Sequence, residues 1–204
     1  MKTHGVLSRV SLVVITFNEE TNIRRCIESA RGVGEVIVVD SYSTDGTVEV
    51  ARDLGAQVFQ RPYVSAADQK NWAFGQVRKE WVLVLDADEA LSPELRREIE
   101  DALAEPACDG FWLRRRSEFL GRHIRFCGWQ RDRVMRLFRH GAGRYPPLEV
   151  HERLLLDGRS GRLKGFIDHV PYRDIEDYID RMKSYSGRSA VDLHKRGKGW
   201  FPAI

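Results

Sequence analysis

Four apolar runs, each closing on polar residues and each followed by a helical pattern, constrain this chain more than anything else in its sequence. Val10-Ser11-Leu12-Val13-Val14-Ile15-Thr16 reads as a buried strand from its β-branched content. Asn22 to Ala30 then spaces Ile23, Cys26, Ile27 and Ala30 as one face of a helix, which Gly32 and Gly34 end. Glu35 to Asp40 is a second strand, and the polar loop Ser41 to Gly46 leads into a helix over Thr47 to Leu54. Ala56 to Phe59 makes a third strand, Ala66 to Val77 a helix, and Trp81 to Asp86 a fourth strand, with a helix from Ser92 to about Glu105. Strands at these intervals with intervening helices imply right-handed crossovers and a mostly parallel sheet.

Polar residues recur where the strands stop. Thr16, Asn18, Glu19, Asp40, Asp45, Asp86 and Asp88 all lie at or just past strand carboxyl ends. A parallel sheet gathers those ends along one edge, which is where ligands bind in open α/β folds. In Leu85-Asp86-Ala87-Asp88-Glu89 the two aspartates share one face of an extended segment. Hard oxygen ligands of this kind suit Mg2+ or Mn2+, completed by substrate phosphates. The competing reading is a polar strand end that caps the following helix. Neither Gly-x-Gly-x-x-Gly nor the Gly-x4-Gly-Lys phosphate loop is present, which argues against a dinucleotide fold or a P-loop NTPase.

Charge divides the chain. Residues 1–110 hold 12 Lys+Arg against 19 Asp+Glu, a net of −7, and residues 111–204 hold 21 against 11, a net of +10. Ten arginines fall between Arg114 and Arg144. The second half therefore suits a partner bearing phosphate or acidic sugars, or an anionic membrane surface, although any single arginine reads as a solvated strand residue. Phe111 to Leu113, Phe119-Leu120, Arg133 to Arg139 and Arg153 to Leu156 read as short strands. Ile175, Tyr178, Ile179, Met182 and Tyr185 form a helical stripe expected to dock on the core. The basic and aromatic stretch His194 to Phe201 fits a membrane-surface contact. Cys26, Cys108 and Cys127 lack metal-ligand spacing and read as reduced structural thiols of a cytoplasmic protein. No signal peptide or bilayer-spanning run is evident.

The segments Val13 to Glu20, Val38 to Thr47 and Leu85 to Glu89, in this order and spacing, resemble family 2 glycosyltransferases of the GT-A fold. Asp68-Gln69-Lys70-Asn71-Trp72-Ala73 and Val150-His151-Glu152 are similar to the bacterial subgroup that builds the lipopolysaccharide core. The resemblance implies an α/β domain with a mostly parallel sheet flanked by helices, over residues 1–172, and a basic helical appendage over 173–204. Residues 1–110 would form the nucleotide-sugar and metal half, and 111–172 the acceptor half.

The resemblance also implies a UDP-sugar donor, glucose above others, a divalent metal, Mg2+ or Mn2+, and inversion at the anomeric carbon. Thr16, Asn18 and Glu19 would line the nucleotide pocket, Asp40 would contact the base, and Asp45 would shape its loop. Asp86 would sit near the ribose, and Asp88 would bind the metal. Lys70 could reinforce the diphosphate or be a solvated helix residue. Glu152 would be the general base with His151 orienting the site or approaching the metal, and Asp132 and Glu149 are its rivals. The acceptor would be a phosphorylated or acidic glycan or lipid at the inner face of the cytoplasmic membrane, with a polyprenyl phosphate as an alternative. A nucleic-acid-binding protein and a catalytically silent nucleotide-sugar sensor are the competing classes; no nucleic acid is expected.

Overall fold

The computed structural model describes residues 5–126, 132–146, 153–172 and 174–195. The first half alternates as the sequence implies: β1 (Val10–Thr16), α1 (Glu20–Ser29), β2 (Glu35–Asp40), α2 (Thr47–Asp53), β3 (Gln57–Gln60), α3 (Ala66–Phe74), β4 (Trp81–Asp86) and α4 (Pro93–Ala104). Between β4 and α4 lies a three-residue strand, β5 (Glu89–Leu91). The second half adds β6 (Gly110–Phe119), β7 (Arg122–His123), β8 (Arg133–Arg139), β9 (Gly143–Arg144), β10 (Leu155–Leu156), β11 (Ser160–His169) and α5 (Ile175–Lys195).

The main sheet runs β3-β2-β1-β4-β8-β6-β11-β5. Its first four strands are parallel. The fifth, β8, is antiparallel to both β4 and β6. Beyond it β6 and β11 pair in parallel, and β5 closes the far edge antiparallel to β11. The apolar runs are continuous because both faces of the parallel block are covered. Leu12, Val14, Leu83 and Leu85 pack with residues of α1 and α4, such as Ile23, Ile27, Leu95 and Ile99. The alternate residues Val13, Val82 and Val84 pack on the other face with Ala67, Ala73 and Phe74 of α3.

Helix α4 begins where the sequence says: the Ser92 hydroxyl accepts from the Leu95 amide at 3.2 Å, with Pro93 in the first turn. Strand β11 was not read from the sequence. It is pressed against α4 at Gly165, where a Cβ would lie 2.6 Å from the Leu95 backbone. Glu98 of α4 accepts the Lys164 and Gly165 amides at 2.7 and 3.1 Å, across the register shift in β11.

Two expectations change. Phe111 to Leu113 and Phe119-Leu120 are not separate strands but lie in or next to one ten-residue strand, β6, in which Arg115 and Arg116 pair with carboxylates and Arg114 lies over the Phe166 ring. The α5 stripe docks only at Tyr178, on the rings of Phe119 and Tyr172, among its described side chains: Ile175, Ile179 and Met182 are 52%, 38% and 48% exposed. The body beside this helix offers the carboxylates Glu19 and Asp88, which draw in Arg181 rather than its apolar neighbours. Among the described residues no helix is long and apolar enough to cross a membrane. Cys127, Glu149, His151, Glu152 and residues 196–204 lie outside the described residues.

Candidate active site

The carboxyl ends of β1, β2 and β4 bring the first-half polar residues together. Asn18, just after β1, has φ 54, a left-handed conformation that asparagine tolerates better than most residues. There its Oδ1 accepts from the Thr44 amide at 2.8 Å and its own amide donates to Ser43 Oγ at 2.8 Å. The loop after β1 is thus stitched to the loop after β2. Asp45 extends the seam, accepting the Glu20 amide at 3.2 Å and the Thr47 amide at 3.1 Å. Slight burial would raise the Asp45 carboxyl, but the Thr47 hydroxyl and these amides hold it below its ordinary value.

Asp40 is fully buried at the end of β2. One carboxylate oxygen accepts from the Ser43 amide at 2.9 Å and from Gln60 Nε2 at 3.0 Å, and the other from the Ser43 hydroxyl. Thr16 is buried too, and its hydroxyl has no hydrogen-bond partner among the described residues. Glu19 takes a bond from Asn22 Nδ2 at 2.7 Å. Burial pushes the Glu19 carboxyl up; the Asn22 bond opposes this and the nearby Asp88 charge adds to it.

Asp86 and Asp88 have different surroundings. Asp86 lies 3.1 Å from Lys70 Nζ and 2.5 Å from Arg136. Burial alone would raise its carboxyl, but the Arg136 and Lys70 charges hold it well below the carboxylate range. Lys70 is 5% exposed and stands 5.2 Å from the Tyr145 ring centroid, so the solvated-helix alternative fails. Wholly buried Glu89 joins the same cluster, accepting the Asp86 amide at 2.9 Å and sitting 3.3 Å from both Arg136 and Arg115. Arg115 then places Nε and a terminal nitrogen 2.7 and 2.6 Å from Asp132 Oδ2. A ladder of alternating charge therefore runs from Lys70 to Asp132. Because β8 is antiparallel to β4, Asp132 at its start falls on the same sheet edge as Asp86.

Asp88 is buried, and its Oδ1 has no hydrogen-bond partner among the described residues. Its Oδ2 lies 3.5 Å from His169 Nε2 and 3.8 Å from Arg181. His169 ends β11, and its other ring nitrogen is 3.1 Å from the Ser117 hydroxyl. The Asp88 carbonyl accepts from Arg25 at 2.8 Å and from the Val170 amide at 3.1 Å, so the backbone is held from two sides. Among the described residues no three His, Cys, Asp or Glu side chains cluster to hold a metal unaided. A buried carboxylate oxygen without a partner, with an imidazole nitrogen alongside, still fits a divalent ion whose remaining ligands come from diphosphate and water. Cys26 lies beneath this site with its thiol pushed well up by burial and by the Glu89, Asp88 and Asp86 charges, which suits a structural thiol.

The site includes residues that sequence reasoning did not assign to it. Arg136 and Arg115 are hidden among many arginines, and Arg181 inside a helical stripe. His169 carried one usable signal: Phe166-Ile167-Asp168-His169 is another apolar segment ending in polar residues. The chosen base Glu152 and its neighbour His151 lie outside the described residues; the rival Asp132 is within them.

A parallel sheet edge lined with carboxylates and continued by a mixed second half is the architecture shared with solved transferases of the GT-A fold. The model of glycosyl transferase family 2 matches residues 11–153, and the chain belongs to that family. It is 33% identical over 209 residues to an uncharacterized glycosyltransferase of Rickettsia typhi, covering 94% of this chain and 70% of the relative. It is 32% identical over 199 residues to the lipopolysaccharide core biosynthesis glycosyltransferase LpsC of Rhizobium meliloti, covering 93% of this chain and 73% of that one. The structure of Staphylococcus aureus TarS residues 1–349 with UDP-GlcNAc superposes with a TM-score of 0.62 at 20% identity. That match covers 82% of this chain and 60% of TarS 1–349, and shows the fold.

Proposed function

We propose that the chain transfers a sugar, glucose in the first instance, from a UDP-sugar to a membrane-associated glycan of the lipopolysaccharide-core type, with inversion. The observation that carries the donor half is Asp88: a buried carboxylate oxygen with no hydrogen-bond partner among the described residues, at the sheet edge where the buried Thr16 hydroxyl is also left without one. The likeness to LpsC supports the acceptor class. Residues 1–110 then serve the donor and 111–172 the acceptor. Against a nucleic-acid role, Arg115, Arg116, Arg136 and Arg139 are paired with carboxylates of the chain itself.

In this reading Thr16, Asn18, Glu19, Asp40 and Asp45 form the nucleotide wall, and Lys70 holds Asp86 toward the ribose. Asp88, with His169 beside it, would hold Mg2+ or Mn2+, which supplies neutralisation of the diphosphate charge. The acceptor hydroxyl attacks the anomeric carbon from the face opposite the leaving group. Its proton passes to a carboxylate as the new C–O bond forms, and the bond to UDP breaks with the electron pair leaving on the diphosphate. Glu152, outside the described residues, is the base the resemblance implies; Asp132, paired with Arg115, and Glu149 are its rivals.

Calorimetric titration of UDP with Mn2+, and again with EDTA, tests the donor site on wild type and Asp88→Ala. Binding should need both the metal and Asp88; silence with UDP, GDP and dTDP alike would end the transferase reading. Replacing the base, Asp132→Asn or Glu152→Gln, should lower kcat by about 10^2- to 10^4-fold while leaving UDP affinity intact, which separates the two rivals.

A further inference from the structure

Arg181 comes from α5, outside the residues the family model matches, yet its guanidinium reaches the carboxylates at the sheet edge. One terminal nitrogen is 3.4 Å from Glu19 Oε1 and the other 3.8 Å from Asp88 Oδ2. Its Nε remains on the helix, 3.2 Å from Asp177 Oδ1. Charge-assisted hydrogen bonds are typically about 2.7–2.9 Å, so the contacts to Glu19 and Asp88 neutralise charge without gripping it. Asp88 keeps an oxygen without a hydrogen-bond partner among the described residues even with Arg181 present.

Over its described side chains the helix that carries Arg181 is lightly held. Its early anchor is a cluster of rings, with Tyr178 at 5.4 Å from Phe119 and 4.9 Å from Tyr172 between centroids. Further along, Ile179 and Met182 remain partly exposed. Moving the guanidinium by a few ångströms therefore breaks little packing. A cation arriving at Asp88 would repel Arg181, and the diphosphate arriving with it would attract a planar guanidinium, which pairs bidentately with phosphate.

From this geometry we propose that Arg181 is an exchangeable ligand of the donor site. In the free protein it stands in for the positive charge that Glu19 and Asp88 require. When the metal–nucleotide binds, Arg181 gives up Asp88 and takes the diphosphate, drawing α5 across the donor. The inference rests on the donor site proposed above and goes further, assigning a diphosphate-binding residue to the C-terminal helix.

The test is calorimetric titration of wild type, Arg181→Met and Arg181→Lys, first with MnCl2 alone and then with UDP at saturating Mn2+. Arg181→Met should bind Mn2+ alone about threefold to fivefold more tightly, because a competing ion pair, one-third exposed on the arginine side, is gone. The same variant should bind UDP about tenfold more weakly, having lost one charge-assisted hydrogen bond. Opposite signs are the signature, since simple loss of structure would weaken both. Arg181→Lys keeps the charge and should return Mn2+ affinity to the wild-type value while restoring only part of the UDP affinity. If Arg181→Met matches a UDP-binding wild type in both titrations, or is weaker in both, the exchange is refuted and the donor site stands. A wild type that binds no UDP with Mn2+ would overturn the donor site and this inference together.

Discussion

The two loops after β1 and β2 and the charged ladder after β4 both hold carboxylates at one sheet edge, but by different means. Asp40 and Asp45 are held by backbone amides, hydroxyls and a glutamine, with no counter-charge paired to either among the described residues. Asp86, Glu89 and Asp132 are held by Lys70, Arg136 and Arg115. An amide-held carboxylate keeps its full charge for a ligand and depends on local turns. An arginine-held one is neutralised, depends on strands distant in sequence, and fails badly when one member is removed.

The largest effect should come from breaking the ladder. Arg136→Met leaves Asp86 and Glu89 facing each other in the interior, and unfolding in urea should show a loss of about 3–5 kcal/mol. Asp40→Ala removes a carboxylate whose partners are local, and the same measurement should show about 1–3 kcal/mol, from the buried donors it leaves unmet. If the two losses were equal, the distinction between the regions would fall. Asn18→Ala should cost about 1–2 kcal/mol in urea unfolding, with Asn18→Gly milder, because φ 54 strains a side chain that lacks the Thr44 bond.

Acid separates the regions more finely. Asp86 has its folded value depressed, so its stabilisation is present above the unfolded value near 3.8 and is lost as pH falls below that. Glu19 has its folded value raised from 4.5, so between 4.5 and that raised value stability should increase as pH falls. Stability measured from pH 7 to 3 should therefore rise slightly and then drop. In Glu19→Gln the rise should disappear and the drop remain.

The parallel block was legible because burial on both faces leaves unbroken Val/Leu/Ile runs, so β1, β2 and β4 end on the residues the sequence indicates. Strand β11 was not legible: Arg162, Lys164 and two glycines interrupt it, and few of its residues are buried. Strand β5 is too short to show any period. The helical spacing of α5 was readable, but spacing cannot say whether a stripe finds an apolar surface. Asp40, Asp86 and Asp88 announced themselves by following apolar runs. His169 and Arg181 meet Asp88 only through the closing of β11 and the path of α5, which no local pattern encodes.

The seam between the first two loops has a kinetic consequence. The amides of Asn18, Glu20 and Thr44 each donate to a side chain on the opposite loop, so none can exchange with solvent until the two loops part. Their hydrogen exchange should follow a single opening event. A nucleotide would then meet a recess that is either entire or absent, and the rate at which it is captured would be set by how often that one seam closes.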